Sequence, residues 1–448
     1  MGGEVMRELG DGLVLRAATE ADTEAVVDFN TRVHSQGGWD TPDSKLGYWV
    51  GDLMSGRHPT TVAGDFLIVE DTATGAVVSS TVLIPQTWSY AGIEFGVGRP
   101  ELVGTQPDYR RRGLIREQFE VLHRWSAERG HLVQAITGIP WYYRQFGYDM
   151  ALDLYGARSG SIGSIPKLKD GEPEPYRVRP ARETDLAYIA TVAEYGDARD
   201  LVACKRGAAQ WRYELDGHTQ GSLMARHLRI IETAAGARVG FLAHSQSRWG
   251  SRLFLTRYEL EAGASWWEVT PSVLRHMAEV GASTDPYIAT EDGGPTFSAI
   301  GLGLGGGHPV YDIVADWMPK LDTPYAWYVR VPDVPAFLRL IAPVLEQRLA
   351  VSLFAGYTGE LRMDFYRGGV KVVFASGRIS AVEPWQAQVG GEQGNVHFPD
   401  LAFLQVLFGY RSLDELQHAY PDCGGNLEGR LLTKALFPKV SSAVWPIA

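Results

Sequence analysis

Residues 102 to 116 read Leu102-Val103-Gly104-Thr105-Gln106-Pro107-Asp108-Tyr109-Arg110-Arg111-Arg112-Gly113-Leu114-Ile115-Arg116. The pattern is that of a strand, a short turn and the first turn of a helix. A helix start leaves its first amides without intrahelical partners and carries a partial positive charge, which makes it an anion site. Acidic residues are favoured in such a first turn. Here it is basic, an unfavourable arrangement unless an anion sits there. Arginine grips phosphate oxygens in pairs, and Gly113 lets the backbone approach a diphosphate closely. Basic runs are in general solvated surface; the strand–turn–helix setting is what points instead to a phosphorylated cofactor.

A second cluster, Trp141-Tyr142-Tyr143-Arg144-Gln145-Phe146-Gly147-Tyr148, sets two phenols side by side. A phenol of ordinary pKa, about 10, stays protonated at neutral pH and can donate to a leaving group. Tyr142 and Tyr143 are adjacent and must point in different directions, so only one can face a given reacting atom. Aromatic packing is the expected role of Phe146 and Tyr148. Backbone amides at the end of the 102–105 strand could polarise a carbonyl, such donors being worth about 3 kcal/mol each.

Other patterns carry less. Gly301-x-Gly303-x-x-Gly306 matches a dinucleotide-binding spacing, but His308-Pro309 follows at once and no helix opens there, so a turn is expected. The 11 histidines never take a metal-ligand spacing, and there is no Gly-x-Ser-x-Gly elbow. Neither a metal nor a serine nucleophile is therefore expected. Asp28, Asp40 beside Trp39, and Glu94 are acidic residues that suit a cationic ligand and suit a loop equally well.

These residues need elements to hold them. In the first 170 residues the apolar patterning predicts strands at 66–70, 77–85, 93–97 and 101–105, a helix over 114–129 and a strand at 132–136 ending in a turn at 138–140. The helix carries Leu114, Ile115, Phe119, Leu122 and Trp125 at helical spacing. The order gives a mixed α/β sheet flanked by helices. An internal repeat follows: residues 13–22 and 176–185 both step from a short strand through Arg, Ala and Glu-x-Asp into an apolar helix, with Thr19 and Thr184 near the helix starts. The polar stretch 159–175 reads as a linker and 316–324 as a second break, which divides the chain into 1–170, 171–320 and 321–448. No arginine loop precedes the 272–280 helix of the middle part, so no cofactor is expected there. The last part should open with a strand at 327–331 and a helix over 336–349. Strands at 361–366, 370–374 and 378–382 and helices at 400–408 and 412–419 should follow.

Composition sets outer limits. The chain has 448 residues, 45% hydrophobic and 21% charged, as in globular domains. A net charge of −11 argues against nonspecific nucleic-acid binding. No apolar run reaches the roughly 18 residues of a membrane helix, and the N-terminus reads as neither signal peptide nor myristoylation site. Two distant cysteines, Cys204 and Cys423, fit a reducing compartment, hence a cytoplasmic location.

Arg110-x-x-Gly113-x-Ile115 resembles the acetyl-CoA motif of the GNAT N-acetyltransferase superfamily, Gln/Arg-x-x-Gly-x-Gly/Ala, departing from it at Ile115. The triple-arginine loop followed by apolar residues is similar to the enhanced-intracellular-survival (Eis-type) branch. Tyr143-x-x-Phe146-Gly147-Tyr148 resembles that branch's Tyr-x-x-Phe-Gly-Tyr element. So do the C-terminal runs from Phe398 to Leu404, from Leu407 to Leu416 and from Leu436 to Pro438. The resemblance implies a catalytic GNAT domain over 1–170, a degenerate second GNAT domain over 171–320 and a sterol-carrier-protein-like α+β domain over 321–448. It implies an N-acetyltransferase that uses acetyl-CoA and no metal. The acceptor would be a small-molecule primary amine such as an aminoglycoside or polyamine, and the assembly a homo-oligomer, with hexamers known among relatives. Val103, Gly104 and Thr105 would line the acetyl-pantetheine arm, and Arg111, Arg112, Gly113, Leu114, Ile115 and Arg116, with Arg110 of the motif, would take the diphosphate. Tyr143 would be the general acid, and the chain-terminal carboxylate, here that of Ala448, the base. The competing reading is a lipid or partner binder with a relic acetyltransferase fold, in which the arginine loop or Tyr143 is occluded.

Overall fold

The computed structural model describes residues 5–288, 294–387 and 394–448. Among these, the strands form three sheets, of nine, seven and five strands. The nine-stranded sheet runs Val5–Gly10, Leu13–Ala17, Phe66–Asp71, Ala76–Tyr90, Ile93–Thr105, Val133–Ile136, Tyr325–Arg330, Asp149–Leu154, with Val202–Cys204 added against the far end of Ala76–Tyr90. The seven-stranded sheet runs Lys320–Asp322, Ala157–Ser161, Ala299–Leu302, Arg252–Leu260, Arg238–Ser245, Arg226–Thr233, Tyr176–Pro180. Parallel and antiparallel pairs mix in both, as expected of the α/β class. The five-stranded sheet belongs wholly to the last part of the chain.

Strand pairing does not follow position in sequence. Ala157–Ser161 overlaps the start of the stretch 159–175 expected to be a linker and pairs in the second sheet, and Tyr325–Arg330 inserts between two strands of the first. The reason is visible in the side chains. Trp327 and Tyr328 alternate to opposite faces, as successive strand residues do. Trp327 packs edge-on against Trp88 at 5.6 Å, and Tyr328 packs under Tyr143 at 5.5 Å. One apolar core then continues from Trp88, Tyr90 and Phe95 into Phe337, Phe403 and Phe437 of the last part.

The short repeat has a structural counterpart. Arg16 bonds Asp22 at 2.7 Å and Glu70 at 2.8 Å; Arg179 bonds Asp185 at 2.7 Å and Glu232 at 2.8 Å. Each aspartate also accepts the backbone amide three residues back, Thr19 in the first copy and Arg182 in the second. Thr184, expected near the helix start, lies instead inside the short Glu183–Asp185 turn, and Arg182 takes the capping position.

Elsewhere the elements differ from expectation in informative ways. The strands expected at 93–97 and 101–105 are one strand, Ile93–Thr105. The helix expected over 336–349 is two, Val334–Leu340 and Ala342–Ala350. Pro343 explains the break, because it has no amide to donate and its ring crowds the preceding turn. Gly301 lies in the Ala299–Leu302 strand, and a Cβ there would fall 2.4 Å from the Phe254 ring, so the glycine serves packing. No helix among the described residues is long and apolar enough to cross a membrane.

Burial holds His58, His244 and His308 down to about 3, and His123 and His131 down to about 4. Their unfolded value is about 6.5. Below it the unfolded chain takes up protons that the folded chain refuses, so stability falls as pH drops. Asp200, raised to about 7 by burial, acts in the opposite sense and is outnumbered. The thermal midpoint is therefore expected to decline steadily from about pH 6.5 to about pH 4.5, read by circular dichroism; a flat profile over that window would contradict the burial argument.

Candidate active site

The site begins at a defect in the first sheet. Glu101 pairs with Val82 and Gly104 with Ser80, so Leu102 and Val103 together face one residue, Thr81. Leu102 adopts φ 53°, in the left-handed region. Such a bulge leaves ladder groups unpaired and re-aims the strand. On its other edge, Ile93–Thr105 pairs with Val133–Ile136 only at Val97–Val133 and Gly98–Gln134. Beyond Gly98 the two parallel strands separate, and a cleft of about 720 Å³ opens there.

Val103, Gly104, Thr105 and every residue from Arg110 to Arg116 line this cleft, joined by His34, Ile139, Tyr142 and Phe146. Arg111 and Gly113 both have left-handed backbone, φ 64° and 80°, on either side of Arg112. An alternation of this kind turns successive amides toward one point and makes an anion nest. The Leu114–Glu128 helix starts on Gly113, with no side-chain cap; the first amide that closes within the turn is that of Arg116, onto Gly113 O at 2.9 Å. Among the described residues, no protein group accepts from the amides of Arg111 to Ile115. By contrast, the Trp266–Ser283 helix of the second sheet is capped by its own Ser265 side chain.

The arginines are not equivalent. Arg112 is drawn to Asp11 at 2.7 Å and lies over the Tyr109 ring, and Arg110 donates to Thr105 O at 3.2 Å. Among the described residues Arg111 and Arg116 have no such partner.

Of the two phenols, only Tyr142 lines the cleft. Tyr142 lines its wall on the side of Arg116, while Tyr143 is only 3% exposed and stacks on Phe119 of the helix. The Tyr143 ring faces Gly138 and feels the Glu101 carboxylate. Burial, with Glu101 adding to it, pushes the phenol above its ordinary value, so it stays protonated. Tyr328 supports this turn by accepting the Trp141 amide.

Ala448 is 5% exposed and packs with Leu102 of the bulge. The tail is pinned by Gln86 and Arg99, which donate to Ile447 O at 2.6 and 3.1 Å, and by Arg206, which donates to Pro446 O at 3.1 Å. Ala448 lines a small cavity with Arg99 and Thr137. Both of those donate to Glu101, at 2.7 and 3.3 Å.

Two residues at this junction had no sequence signal of their own. Glu101 was one position in a strand, and only the bulge beside it marks it out. His34 ends the Thr23–Val33 helix, with its Nε2 sealed from solvent and, among the described residues, without a partner; burial lowers its pKa, so the ring is neutral. Among the described residues no group of three or more His, Cys, Asp or Glu side chains could hold a metal.

Residues 14–151, which contain both the arginine loop and the tyrosine turn, match the family model for the acetyltransferase (GNAT) domain. Three solved structures resemble nearly the whole chain. An Enterococcus faecalis V583 protein described as a probable N-acyltransferase is 11% identical with a TM-score of 0.66, covering 97% of this chain and 100% of its own. A GCN5-related N-acetyltransferase from Kribbella flavida is 17% identical with a TM-score of 0.63, covering 96% and 97%. Eis1 from Mycobacterium abscessus is 13% identical with a TM-score of 0.57, covering 97% and 99%. At these identities the likeness is one of fold. No curated protein sequence matches the chain.

A charge-assisted hydrogen bond is worth about 1.5–3 kcal/mol. Arg111→Ala is accordingly expected to weaken coenzyme A binding by about tenfold or more, and Arg112→Ala by less, because Asp11 already holds that side chain. Calorimetric titration of the two variants decides it; the reverse order would show that Arg112 leaves Asp11 to bind phosphate.

Proposed function

We propose that the protein is an acetyl-CoA-dependent N-acetyltransferase that moves the acetyl group directly to a primary amine of a small molecule. The observation that carries this is one open cleft in which unpartnered amides and free arginines meet the bulged strand, with the phenol of Tyr143 buried behind its wall. The arginine loop lies open to the cleft, which favours an enzyme over a relic binder.

The residues fit the coenzyme. The Arg111–Ile115 amides, with Arg111 and Arg116, suit the diphosphate, and Val103 to Thr105 suit the pantetheine arm in the manner of an added strand. Bound there, acetyl-CoA supplies an activated acyl group and a thiolate leaving group. The bulge amides donate to the carbonyl oxygen as charge develops on it, a term worth about 3 kcal/mol per donor. Glu101 and the carboxylate of Ala448 both border the acceptor side, where either takes the proton released as the amine nitrogen bonds to the acyl carbon. Tyr143 gives its phenolic proton to the departing sulfur.

The twin Arg–Asp–Glu clusters support a tandem arrangement, with a catalytic domain over 1–170 and a degenerate GNAT-like domain over 171–320. The five-stranded sheet with its helices supports a sterol-carrier-like unit in 321–448. A homo-oligomeric assembly and a cytoplasmic location belong to the same reading.

Free-thiol release across a panel of primary amines tests the reaction. Tyr143→Phe is expected to lose about a hundredfold or more of turnover, as for removal of a general acid, with coenzyme affinity kept. Tyr142→Phe should keep its turnover. Because Tyr143 titrates above its ordinary value of about 10, the wild-type rate should show no fall from its ionisation below that pH. Equal turnover in Tyr143→Phe and wild type would remove Tyr143 from the mechanism.

A further inference from the structure

Two smaller cavities lie away from the cofactor cleft and share a wall of Tyr155, Arg226, Trp445 and Pro446. The first, of about 50 Å³, reaches Thr137 and Arg99 and so abuts Glu101. The second, of about 100 Å³, continues past Arg226 to Arg199, Arg257 and Glu259.

Four arginines line the pair of cavities, and three already have an anion. Arg99 is paired with Glu101 at 2.7 Å, Arg199 with Glu259 at 2.5 Å and Arg257 with Asp197 at 2.7 Å. Glu214, which also lines the first cavity, is held by Arg206 at 3.2 Å. Among the described residues no carboxylate lies within ion-pair reach of Arg226. Its Nη1 donates to the carbonyls of Leu223 and Ala225 at 3.0 and 2.9 Å, and its Nε is sealed from solvent without an acceptor. Burial lowers its pKa, and the more distant Glu214, already held by Arg206, only partly offsets this. Such a group is costly unless an anion joins it, and a guanidinium matches the two oxygens of a carboxylate.

We propose that Arg226 is a specificity-determining residue that binds a carboxylate carried by the acyl acceptor, so that the acceptor is an amino-acid-like amine and not a polyamine. This rests on the acetyltransferase reading above. The acceptor's amine faces Glu101 and Thr137 at one end of the first cavity, and its carboxylate meets Arg226 at the other. A diamine would set its second ammonium against an unpaired guanidinium, a like-charge contact.

Matched pairs that differ by one carboxylate test this: lysine against cadaverine, and γ-aminobutyrate against propylamine. Binding to the full chain with coenzyme A present is measured by calorimetry, independently of turnover. The carboxylate-bearing member of at least one pair is expected to bind about tenfold tighter or more, as for a charge-assisted contact. Arg226→Gln should abolish that preference and Arg226→Lys keep part of it. Removing an unpaired buried charge should leave the thermal midpoint of Arg226→Gln at or above that of wild type, and Arg226→Lys serves where it does not. The proposal is overturned if cadaverine and propylamine bind as tightly as their partners, if no member of either pair binds, or if Arg226→Gln weakens both members of a pair equally. Thiol release is scored separately: coenzyme binding with no release from any amine counts against the acetyltransferase reading, whereas release without a carboxylate preference counts against Arg226 alone.

Discussion

Much of this molecule depends on one strand, Tyr325–Arg330, being held between Val133–Ile136 and Asp149–Leu154. Left alone, those two strands would each present an unpaired ladder edge. The inserted strand satisfies both edges and buries Trp327 on one face and Tyr328 on the other. Arg330 adds a bond to Gln134 at 2.7 Å. Through Tyr328 it also fixes the turn that carries Tyr142 and Tyr143. The first sheet, the tyrosine turn and the last part of the chain therefore fold as dependants of one another, and the same connection brings the C-terminal tail back beside the bulge.

The site is divided electrostatically. At the arginine-loop end, charge is left unsatisfied: uncapped amides, Arg111 and Arg116 face an open cleft. Around Tyr143 the arrangement is the reverse. Tyr143 is enclosed by Phe119, Tyr148 and Tyr328, and the nearby Glu101 is paired with Arg99. A dry, paired surrounding keeps a phenol protonated and strengthens each hydrogen bond made inside it. Against this background the unpaired Arg226 stands out, because its neighbours show how the same fold satisfies an arginine when nothing else is meant to.

Comparison of the two larger sheets shows how little separates an uncapped helix start from a capped one. Both copies of the repeat use an arginine between an aspartate and a glutamate to tie strand to helix. In the first sheet the central helix starts on a left-handed glycine and keeps its amides free. In the second, Ser265 takes the amide of Glu268, and no arginine loop precedes it. The difference lies in a few residues at a helix start, not in the fold.

The arginine loop, its glycine and the helix after it could be read from sequence, because anion binding at a helix start is a local property of consecutive residues. So could the α/β class and the repeat, since apolar periodicity and the Arg–Asp spacing act over a single turn or strand. Local rules also misplaced elements: the bulge at Leu102 lies inside what reads as two strands, and Pro343 divides what reads as one helix. What only the tertiary structure decided depends on partners distant in sequence. Glu101 gains meaning from Thr137, Tyr143 from Tyr328, and Arg226 from the absence among the described residues of any carboxylate within ion-pair reach. A side chain's protonation, burial and unmet bonds are set by what packs against it, and residues more than a hundred positions apart meet only when the chain has folded.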